Sequence, residues 1–362
     1  LLSRLPGDAP EGEVLLNATS RRGQDLTGYF ATPVTDELGT SLTVGLHGQD
    51  KVDFDQDGWI DMPGYERVTA RPRLFWENGE GTNIYATLGL MAEDRDGGTL
   101  DGRVAPDGQS FIQSQETTRI DGGLIANTEL TDTLSAQLRT SAMVQNHEHQ
   151  FGDAMDEDRH ESYLLEASLS GDLNRLDWVL GIAYQSDRFQ SDTYPAFDYT
   201  YDVPGIFGEV DYDLNTDLTL SLSGRLDDHS TYGTQFSPRL SVLYRPGDWT
   251  FRGSVAEGYF APTPFVEEIE AAGLSRLSPL SGLREETAQT ASFDVGYRSG
   301  SVEANATFFA SNVDGVTELV PFASQAGGPL DRVELVNSEG TSKIRGTELV
   351  PFASQAGGPL DR

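Results

Sequence analysis

Four aspartates at alternating positions are the residues in this chain most suited to chemistry. The segment DFDQDGWID carries them around one glycine, and the spacing matches the oxygen ligands of a calcium loop: Asp53, Asp55, Asp57, Asp61 and Gly58. The bidentate glutamate that completes such a loop is missing, because Gly64 occupies its position, and no helical pattern flanks the segment. Calcium binding by an exposed acidic loop is one interpretation. Solvated negative charge is the other.

A second acidic segment adds histidines to carboxylates. NHEHQFGDAMDEDRH, at 146–160, contains His147, His149 and His160 among five acidic residues. Imidazole and carboxylate together suit a transition metal. The His-x-His spacing is weak evidence for one, and an exposed polar loop explains the composition equally well.

A third segment, DTYPAFDYTYD at 192–202, is rich in aromatic residues. Tyr194, Phe197, Tyr199 and Tyr201 could stack against a ring in a ligand, or could form an aromatic rim of the fold. No catalytic motif is present, because no nucleophile motif accompanies the histidines and no glycine-rich phosphate loop joins a strand to a helix. We therefore expect a binding protein and not an enzyme, with these four residues as candidate ligand contacts.

Composition excludes several classes of protein. The chain has 362 residues, with 25 Lys and Arg against 58 Asp and Glu, and its net charge of −33 excludes a nucleic-acid partner. The absence of cysteine excludes disulfides, thiolate metal sites and cysteine nucleophiles. No apolar run approaches the roughly 18 residues of a membrane-spanning helix, which leaves a β-barrel open. Because the chain begins at Leu1 with no signal region, we expect it to be part of a longer protein.

Alternation of apolar and polar residues predicts an all-β fold. In SLTVGLHG, for example, Leu42, Val44 and Leu46 lie on one face of a strand and polar residues on the other. About 16 segments follow this pattern. Only PFVEEIEAAGL, at 264–274, has the composition of a short helix.

The connections between these strands alternate in length. Short turns are predicted at 35–40, 77–83, 128–133, 171–175, 213–217, 245–248 and 298–300. Long acidic loops are predicted between them at 48–66, 93–116, 146–161, 186–204, 226–236, 257–287 and 310–340. Short turns at one end of a sheet and long loops at the other are typical of an outer-membrane barrel, whose apolar face meets lipid. Aromatic residues near the strand ends suit its interfacial girdles, or the core of a soluble sandwich: Phe75, Trp76, Trp178, Tyr244, Trp249 and Tyr297.

The segment 205–268 carries several motifs in a fixed order. They are Gly224-Arg225-x-Asp227-x-His229, then Phe236-Ser237-Pro238-Arg239, then the turn Arg245-Pro246, and finally Gly258-Tyr259-Phe260-Ala261-Pro262-Thr263. This order resembles the mid-barrel signature of TonB-dependent outer-membrane receptors, and the segments 283–316 and 336–350 continue the resemblance. One departure is Phe260, which stands where the family has arginine.

The resemblance implies a transmembrane antiparallel β-barrel of about 22 strands, plugged by an N-terminal domain. It implies active uptake of a scarce ligand, such as a ferric siderophore or cobalamin, driven by the TonB energy-transducing complex through the plug. It places the protein in the bacterial outer membrane, beside lipid and lipopolysaccharide. We expect residues 1–350 to be an incomplete barrel of about 16 strands, without the plug and the last strands and unable to transport alone. No cofactor is required, and an extracellular loop that contains Asp53 to Asp61 could hold calcium.

An identical segment, TELVPFASQAGGPLDR, occurs at 317–332 and again at 347–362. The second copy places loop sequence where a membrane strand should continue, so we expect 351–362 to be a duplication artefact without function. Two other classes remain open from the sequence, a passive outer-membrane porin and a secreted calcium-binding β-protein. The acidic loops weakly disfavour strongly anionic chelates at the entrance.

Overall fold

The computed structural model of the chain describes residues 5–105, 108–265, 274–325, 328 and 330–353. Their regular structure is almost entirely β-strand, with two short 3-10 helices at Pro195–Phe197 and Leu274–Arg276. None of the helices in these residues is long and apolar enough to cross a membrane. The helix predicted at 264–274 falls mostly on 266–273, which lie outside the described residues.

The strands form in the order of the predicted segments. They are β1 Glu11–Ala18, β2 Gly23–Pro33, β3 Leu38–Gln49, β4 Gly64–Glu77, β5 Thr82–Gly98, β6 Ile112–Thr131, β7 Leu134–Phe151, β8 Ala154–Asp172, β9 Leu176–Ser191, β10 Tyr199–Asn215, β11 Leu218–His229, β12 Gly233–Tyr244, β13 Trp249–Phe260, β14 Glu286–Ser299, β15 Val302–Asp314, β16 Thr317–Phe322, β17 Arg332–Asn337 and β18 Thr341–Ala353.

Sixteen of these strands form one sheet, in which β1 to β15 lie in chain order and β18 lies beside β15. Strands β16 and β17 pair only with each other. The all-β fold and the number of sheet strands are therefore as predicted. The seven short turns also lie where the sequence places them, at 34–37, 78–81, 132–133, 173–175, 216–217, 245–248 and 300–301.

The long connections differ from the prediction in three places. The segment 146–161 is not a loop, because β7 and β8 run through it and meet at the tight turn 152–153. Likewise β11 and β12 are joined at 230–232, and the loop predicted at 186–204 is reduced to 192–198. Acidic and polar residues are typical of loops. A strand that extends past the membrane can also carry polar residues on both of its faces, because both faces are then in water. Backbone pairing therefore continues through these segments.

The chain divides into two compact units, 1–167 with 184–202 and 168–183 with 203–362. In the first unit the strand registers align the apolar side chains on one face: Leu46 lies opposite Val68, and Leu90 lies opposite Ile120. All four side chains are exposed. Because successive residues alternate between faces, the intervening residues form a second, polar face.

In the second unit the same division recurs. Leu222 and Leu240 lie opposite each other and are both exposed, while Ser221 and Ser241 form the neighbouring pair on the other face. Rings near the short turns lie in contact, with Trp249 and Tyr297 centroids 4.8 Å apart. Such a contact between rings at strand ends fits both the girdle and the core interpretation of these aromatic residues.

The buried apolar side chains lie mainly at the long-loop end of the sheet. Ile60 lies in the loop after β3, Phe197 in the loop after β9 and Leu277 in the loop before β14, while Val333 and Leu335 lie on β17, in the long connection between β15 and β18. A soluble β-sandwich would bury the apolar face of its strands instead. The exposed apolar face therefore favours a barrel in contact with lipid over a soluble, secreted β-protein.

The duplicated sequence adopts two different pairings. Its first copy supplies β16, which pairs with β17, and the first seven residues of its second copy extend β18, which pairs with β15. Residues 354–362 lie outside the described residues. Whether 351–362 is an artefact stays a prediction.

Candidate functional site

The acidic loop 50–63 brings together three of its four predicted calcium ligands. Asp53, Asp55 and Asp61 have oxygen atoms within 4.8 Å of one another, and Asp57 is not part of this group. The loop is held by backbone contacts, among them the hydrogen bond from the Ile60 amide to the carbonyl of Gly98 at 2.8 Å.

These carboxylates already accept hydrogen bonds from the loop itself. Asp53 accepts from the amides of Gln56 at 2.7 Å and Gly58 at 2.9 Å, and Asp61 accepts from the amide of Phe54 at 2.7 Å. Gly58 adopts φ 96°, a conformation that favours glycine. The loop thus folds around its carboxylates with its own amides as donors.

The pKa values of two aspartates in this loop are shifted in opposite directions. Desolvation would raise the pKa of Asp53, but the amides of Gly58 and Gln56 outweigh it and lower the pKa. The Asp57 amide works to lower the pKa of Asp55, yet desolvation and the neighbouring carboxylates raise it. The loop therefore carries a repulsion that a cation would relieve, and calcium here stays a prediction.

The three histidines of 146–160 do not converge on one metal site. Among the described residues, the aspartates above are the only three His, Cys, Asp or Glu side chains whose ligand atoms lie this close together. His147 instead pairs with Asp158 across the β7–β8 hairpin, at 3.2 Å, and stacks on His149. Of the two interpretations, the one without a metal is therefore favoured for this segment.

The aromatic segment splits into a turn with one buried ring and a half-buried pair of rings. Phe197 is 5% exposed and anchors the turn 192–198, whose Tyr194 amide donates to the hydroxyl of Ser191 at 2.8 Å. Tyr199 and Tyr201 follow on β10, with ring centroids 4.6 Å apart. Only this half-buried pair presents adjacent rings. Ligand contact by the four predicted residues stays a prediction.

A polar network joins the tyrosine pair to β8 and β9. The carboxylate of Asp187 accepts hydrogen bonds from the Tyr199 phenol and from His160 Nε2, the latter at 3.0 Å. A strand crosses the hydrocarbon core in about 11 residues. If the span begins at the short turns, it ends near residue 162 on β8, residue 186 on β9 and residue 205 on β10. The network therefore lies just outside the membrane span, on the long-loop side.

The pKa values of the network follow from these contacts. The hydrogen bond to Asp187 raises the pKa of His160. Burial alone would raise the pKa of Asp187, but His160 and Tyr199 outweigh it and lower the pKa. Burial and the Asp187 carboxylate together raise the pKa of the Tyr199 phenol. Near neutral pH the carboxylate is therefore charged and the phenol protonated.

Arginines form a second functional feature on the same polar face, which the sequence interpretation missed. Glu93, 6% exposed, is held by Arg67 and by Arg95, the latter at 3.1 Å. The ring of Tyr65 lies about 5.5 Å from each guanidinium carbon. Because the carboxylate is buried between two cations, this cluster retains one positive charge.

Further along the face the same excess recurs. Asp121 accepts two hydrogen bonds from Arg71, at 2.9 and 3.0 Å, and pairs with Arg119 at 3.3 Å. Arg73 donates only to the hydroxyl of Thr43, at 3.0 Å. One further pair, Arg139 with Glu166 at 3.2 Å, is neutral. These clusters thus contain six arginines and three carboxylates, while Asp25, Asp158 and Asp187 lie on the same face, each paired with a histidine.

A cavity of about 460 Å³ adjoins the β7–β8 hairpin. Its lining includes Glu116, Glu148, Glu157, Thr118, Asn146 and Arg159. Arg159 is itself held by Glu161, at 2.6 Å. The lining is acidic, and none of the four predicted aromatic residues belongs to it.

Comparison with known protein families identifies the fold described above. Residues 9–358 match the family described as TonB dependent receptor-like, beta-barrel. The chain belongs to this family, as its motifs indicated, and its sheet is the β-barrel sheet of that family. Among curated protein sequences, none matches the chain significantly.

Solved structures agree on the fold. The siderophore receptor PirA from Pseudomonas aeruginosa is 16% identical, with a TM-score of 0.74, over 96% of this chain and 64% of that one. The ferric enterobactin receptor PfeA from the same organism is 14% identical, with a TM-score of 0.75, over 96% and 60%. The FrpB iron transporter from Neisseria meningitidis is 13% identical, with a TM-score of 0.70, over 96% and 58%. The chain therefore spans about three fifths of these receptors.

Proposed function

We propose that this chain is the barrel portion of an outer-membrane receptor that takes up an anionic ferric siderophore. The observation that carries the ligand class is the local excess of arginine in the clusters on the polar face, where six guanidinium groups accompany three carboxylates. Guanidinium groups bind planar anionic groups through paired hydrogen bonds. Membership of the receptor family, whose barrels lie in the outer membrane, supports the location.

The positive charge of the arginine clusters favours an anionic ligand, whereas the overall composition of the chain disfavours one. The net charge of −33 and the acidic loops disfavour an anionic ligand at the entrance. The arginine clusters lie farther along β4 to β7, so an anion that passes the loops meets a positive surface. Cobalamin is the alternative ligand within the same function. The siderophore is favoured because structures with a similar fold include a siderophore receptor, a ferric enterobactin receptor and an iron transporter.

The ligand contacts we propose at the entrance are Tyr199 and Tyr201, with Tyr194 and Phe197 shaping the turn beside them. Their rings suit stacking against the aromatic groups of a catecholate chelate. The exposed apolar face would contact outer-membrane lipid, and its acidic surroundings would contact lipopolysaccharide through divalent cations. Uptake would require the TonB complex acting through a plug, as the family resemblance implies.

The other classes considered have less support. A passive porin does not follow from membership of a TonB-dependent receptor family. The family and the neighbours are receptors and transporters, which supports a protein that is not an enzyme. Calcium in the 50–63 loop would be an accessory to this function and is proposed only at that level.

Uptake by cells that produce the protein tests this function. We expect the protein to fractionate with outer membranes, and we expect cells lacking it to lose uptake of iron from ferric catecholates. A strain without the energy transducer should show the same loss. Equal uptake in the presence and absence of the transducer would contradict the proposal, and a soluble protein would contradict the location.

A further inference from the structure

A continuous row of polar side chains crosses the polar face of the first unit, from β2 to β8. Strand pairing places its members opposite one another in turn, and an ion pair adds the last of them: Asp25, His47, Arg67, Glu93, Thr117, His147 and Asp158. Directly opposite residues of antiparallel strands lie on the same face and are close enough to interact. We call this set the histidine row.

Each end of the histidine row is a pair of a carboxylate and an imidazole. Oδ1 of Asp25 lies 2.8 Å from Nδ1 of His47, and Oδ1 of Asp158 lies 3.2 Å from Nδ1 of His147. A neutral imidazole leaves the charge of its carboxylate uncancelled, whereas a protonated imidazole cancels it. Histidine is the side chain whose charge ordinarily changes between about pH 5 and pH 8.

The middle of the row holds two arginines around one carboxylate. Glu93 pairs with Arg67 of the row and with Arg95, which follows it on β5. With neutral imidazoles, Asp25, Glu93 and Asp158 outnumber these two arginines, so the group carries one net negative charge. Protonation of both imidazoles adds two positive charges and reverses the sign of the group.

We propose that protonation of His47 and His147 converts the histidine row from a surface that repels anions to one that attracts them, so that the protein captures its anionic chelate more tightly in mildly acid surroundings. The proposal rests on the proposed function, because the arginines that receive the chelate lie in and beside this row. It adds a regulation of that site by pH.

The groups around His47 favour its protonated form. Asp25 faces it from β2, and Arg67 faces it from β4, with the phenol of Tyr65 two residues farther along that strand. The nearest charge is the carboxylate of Asp25, at 2.8 Å. Arg67 would oppose a second cation, but Glu93 already pairs with it.

The groups around His147 include more ionisable side chains. On its own strand it stacks on His149, with ring centroids 5.6 Å apart, and its Nε2 lies 3.1 Å from Nε2 of Gln145. Thr117 faces it from β6 and Asp158 from β8. The charged or ionisable neighbours of these two positions on the same face are Arg119, Asp156 and His160.

The stacked imidazoles take up protons one at a time. Burial lowers the pKa of His149, and the neighbouring His147 lowers it further, although Asp158 and Asp156 oppose this. His147 holds the direct contact with Asp158, so the first proton is expected there. Protons and an anionic ligand then favour each other's binding, because linkage between two sites is reciprocal.

The experiment measures the affinity of the refolded chain in detergent for a hexadentate ferric tris-catecholate, by quenching of tryptophan fluorescence, at about pH 6 and about pH 7.5. The visible spectrum of the complex verifies that it stays intact at both values. We expect the catecholate to bind about 10-fold tighter at the lower pH, a typical coupling between two sites. A neutral ferric tris-hydroxamate should bind equally at both.

Three variants assign the effect to the row. The double variant His47→Gln with His147→Gln should lose the pH dependence and keep the weaker affinity of the higher pH. His147→Lys carries a permanent charge beside Asp158, so it should bind more tightly than the wild type at the higher pH and show less pH dependence. His229→Gln changes a histidine of the other compact unit and should keep the whole effect.

Heat-modifiable gel mobility verifies that each variant is folded at both pH values before its affinity counts. Equal affinity of the wild-type chain for the catecholate at both values would overturn the proposal and leave the proposed function standing, since the ligand still binds. A pH effect that persists in the folded double variant, or that the neutral hydroxamate shows equally, would also overturn it. Absence of binding at both values would instead contradict the proposed function, and this inference with it.

Discussion

Removing the charge of Glu93 tests whether the polar face is organised by its ion pairs. Glu93 is 6% exposed and neutralises one of two adjacent arginines, Arg67 and Arg95, whose side chains are 37% and 41% exposed. In Glu93→Gln the two guanidinium groups keep their positions but lose the shared carboxylate. The change removes two charge-assisted hydrogen bonds and leaves two cations facing each other.

The magnitude follows from the burial of each partner. Breaking a fully buried ion pair costs about 3–5 kcal/mol, because the remaining charge is unpaired. The arginines here are more than a third exposed, so water compensates part of that loss. We therefore expect Glu93→Gln to lower the free energy of unfolding by about 2–3 kcal/mol.

The control is a pair of the same type at the surface. Arg298 and Glu303 lie 3.8 Å apart, with side chains 80% and 55% exposed. Glu303→Gln should change stability by less than about 0.5 kcal/mol. The assay is urea unfolding of the chain folded into lipid vesicles, followed by tryptophan fluorescence, with an unchanged denaturant slope as the condition for comparison. Equal effects of the two variants would refute the reasoning.

Three further predictions address the membrane face, the network and the acidic loop. Leu222 is 60% exposed on the apolar face of β11. Leu222→Arg should lower the free energy of unfolding in vesicles by about 2–4 kcal/mol, and Ser221→Arg, on the polar face, should lower it much less. Similar costs for the two variants would contradict the assignment of faces. The raised pKa of His160 gives stability that is present below its ordinary value of 6.5 and lost as pH rises through the higher folded value. The lowered pKa of Asp187 gives stability that is lost in acid, below its ordinary value of 3.8. The free energy of unfolding measured against pH should therefore fall on the acid side and again as His160 loses its proton. Asp187→Asn should remove both pH dependences. Calcium should slow proteolysis of the 50–63 loop, and Asp61→Asn should abolish that protection; cleavage unaffected by calcium would show that the aspartates serve only the loop amides.

The alternation of side chains predicted most of the fold because it records a physical requirement. Each membrane strand must present apolar side chains to the lipid. The alternating residues Leu42, Val44 and Leu46 show this pattern in the sequence. The lengths of the strands were harder to predict from the sequence. Beyond the membrane neither face needs apolar residues, so the His147 region looked like loop although it continues β7.

The candidate site was predicted only in part, since its residues are distant in sequence. The segment 192–202 drew attention to Tyr199 and Tyr201, but not to Asp187 and His160, which join them only through strand pairing. The arginine clusters had a signal that could have been used. Arg67, Arg71 and Arg73 are separated by even numbers of residues, so a strand must place them on one face.

The most direct test of the central claim is the charge preference of the binding site. We would measure the affinity of the refolded chain for an anionic ferric tris-catecholate and a neutral ferric tris-hydroxamate, by quenching of tryptophan fluorescence. The arginine-rich face predicts that the anionic complex binds about 10-fold tighter or more, since one charge-assisted hydrogen bond contributes about 1.5–3 kcal/mol. Arg73→Gln should reduce that preference, and Arg298→Gln, which alters an exposed arginine at a short turn, should not. Equal affinity for the two complexes, or a preference unaffected by Arg73→Gln, would contradict the account.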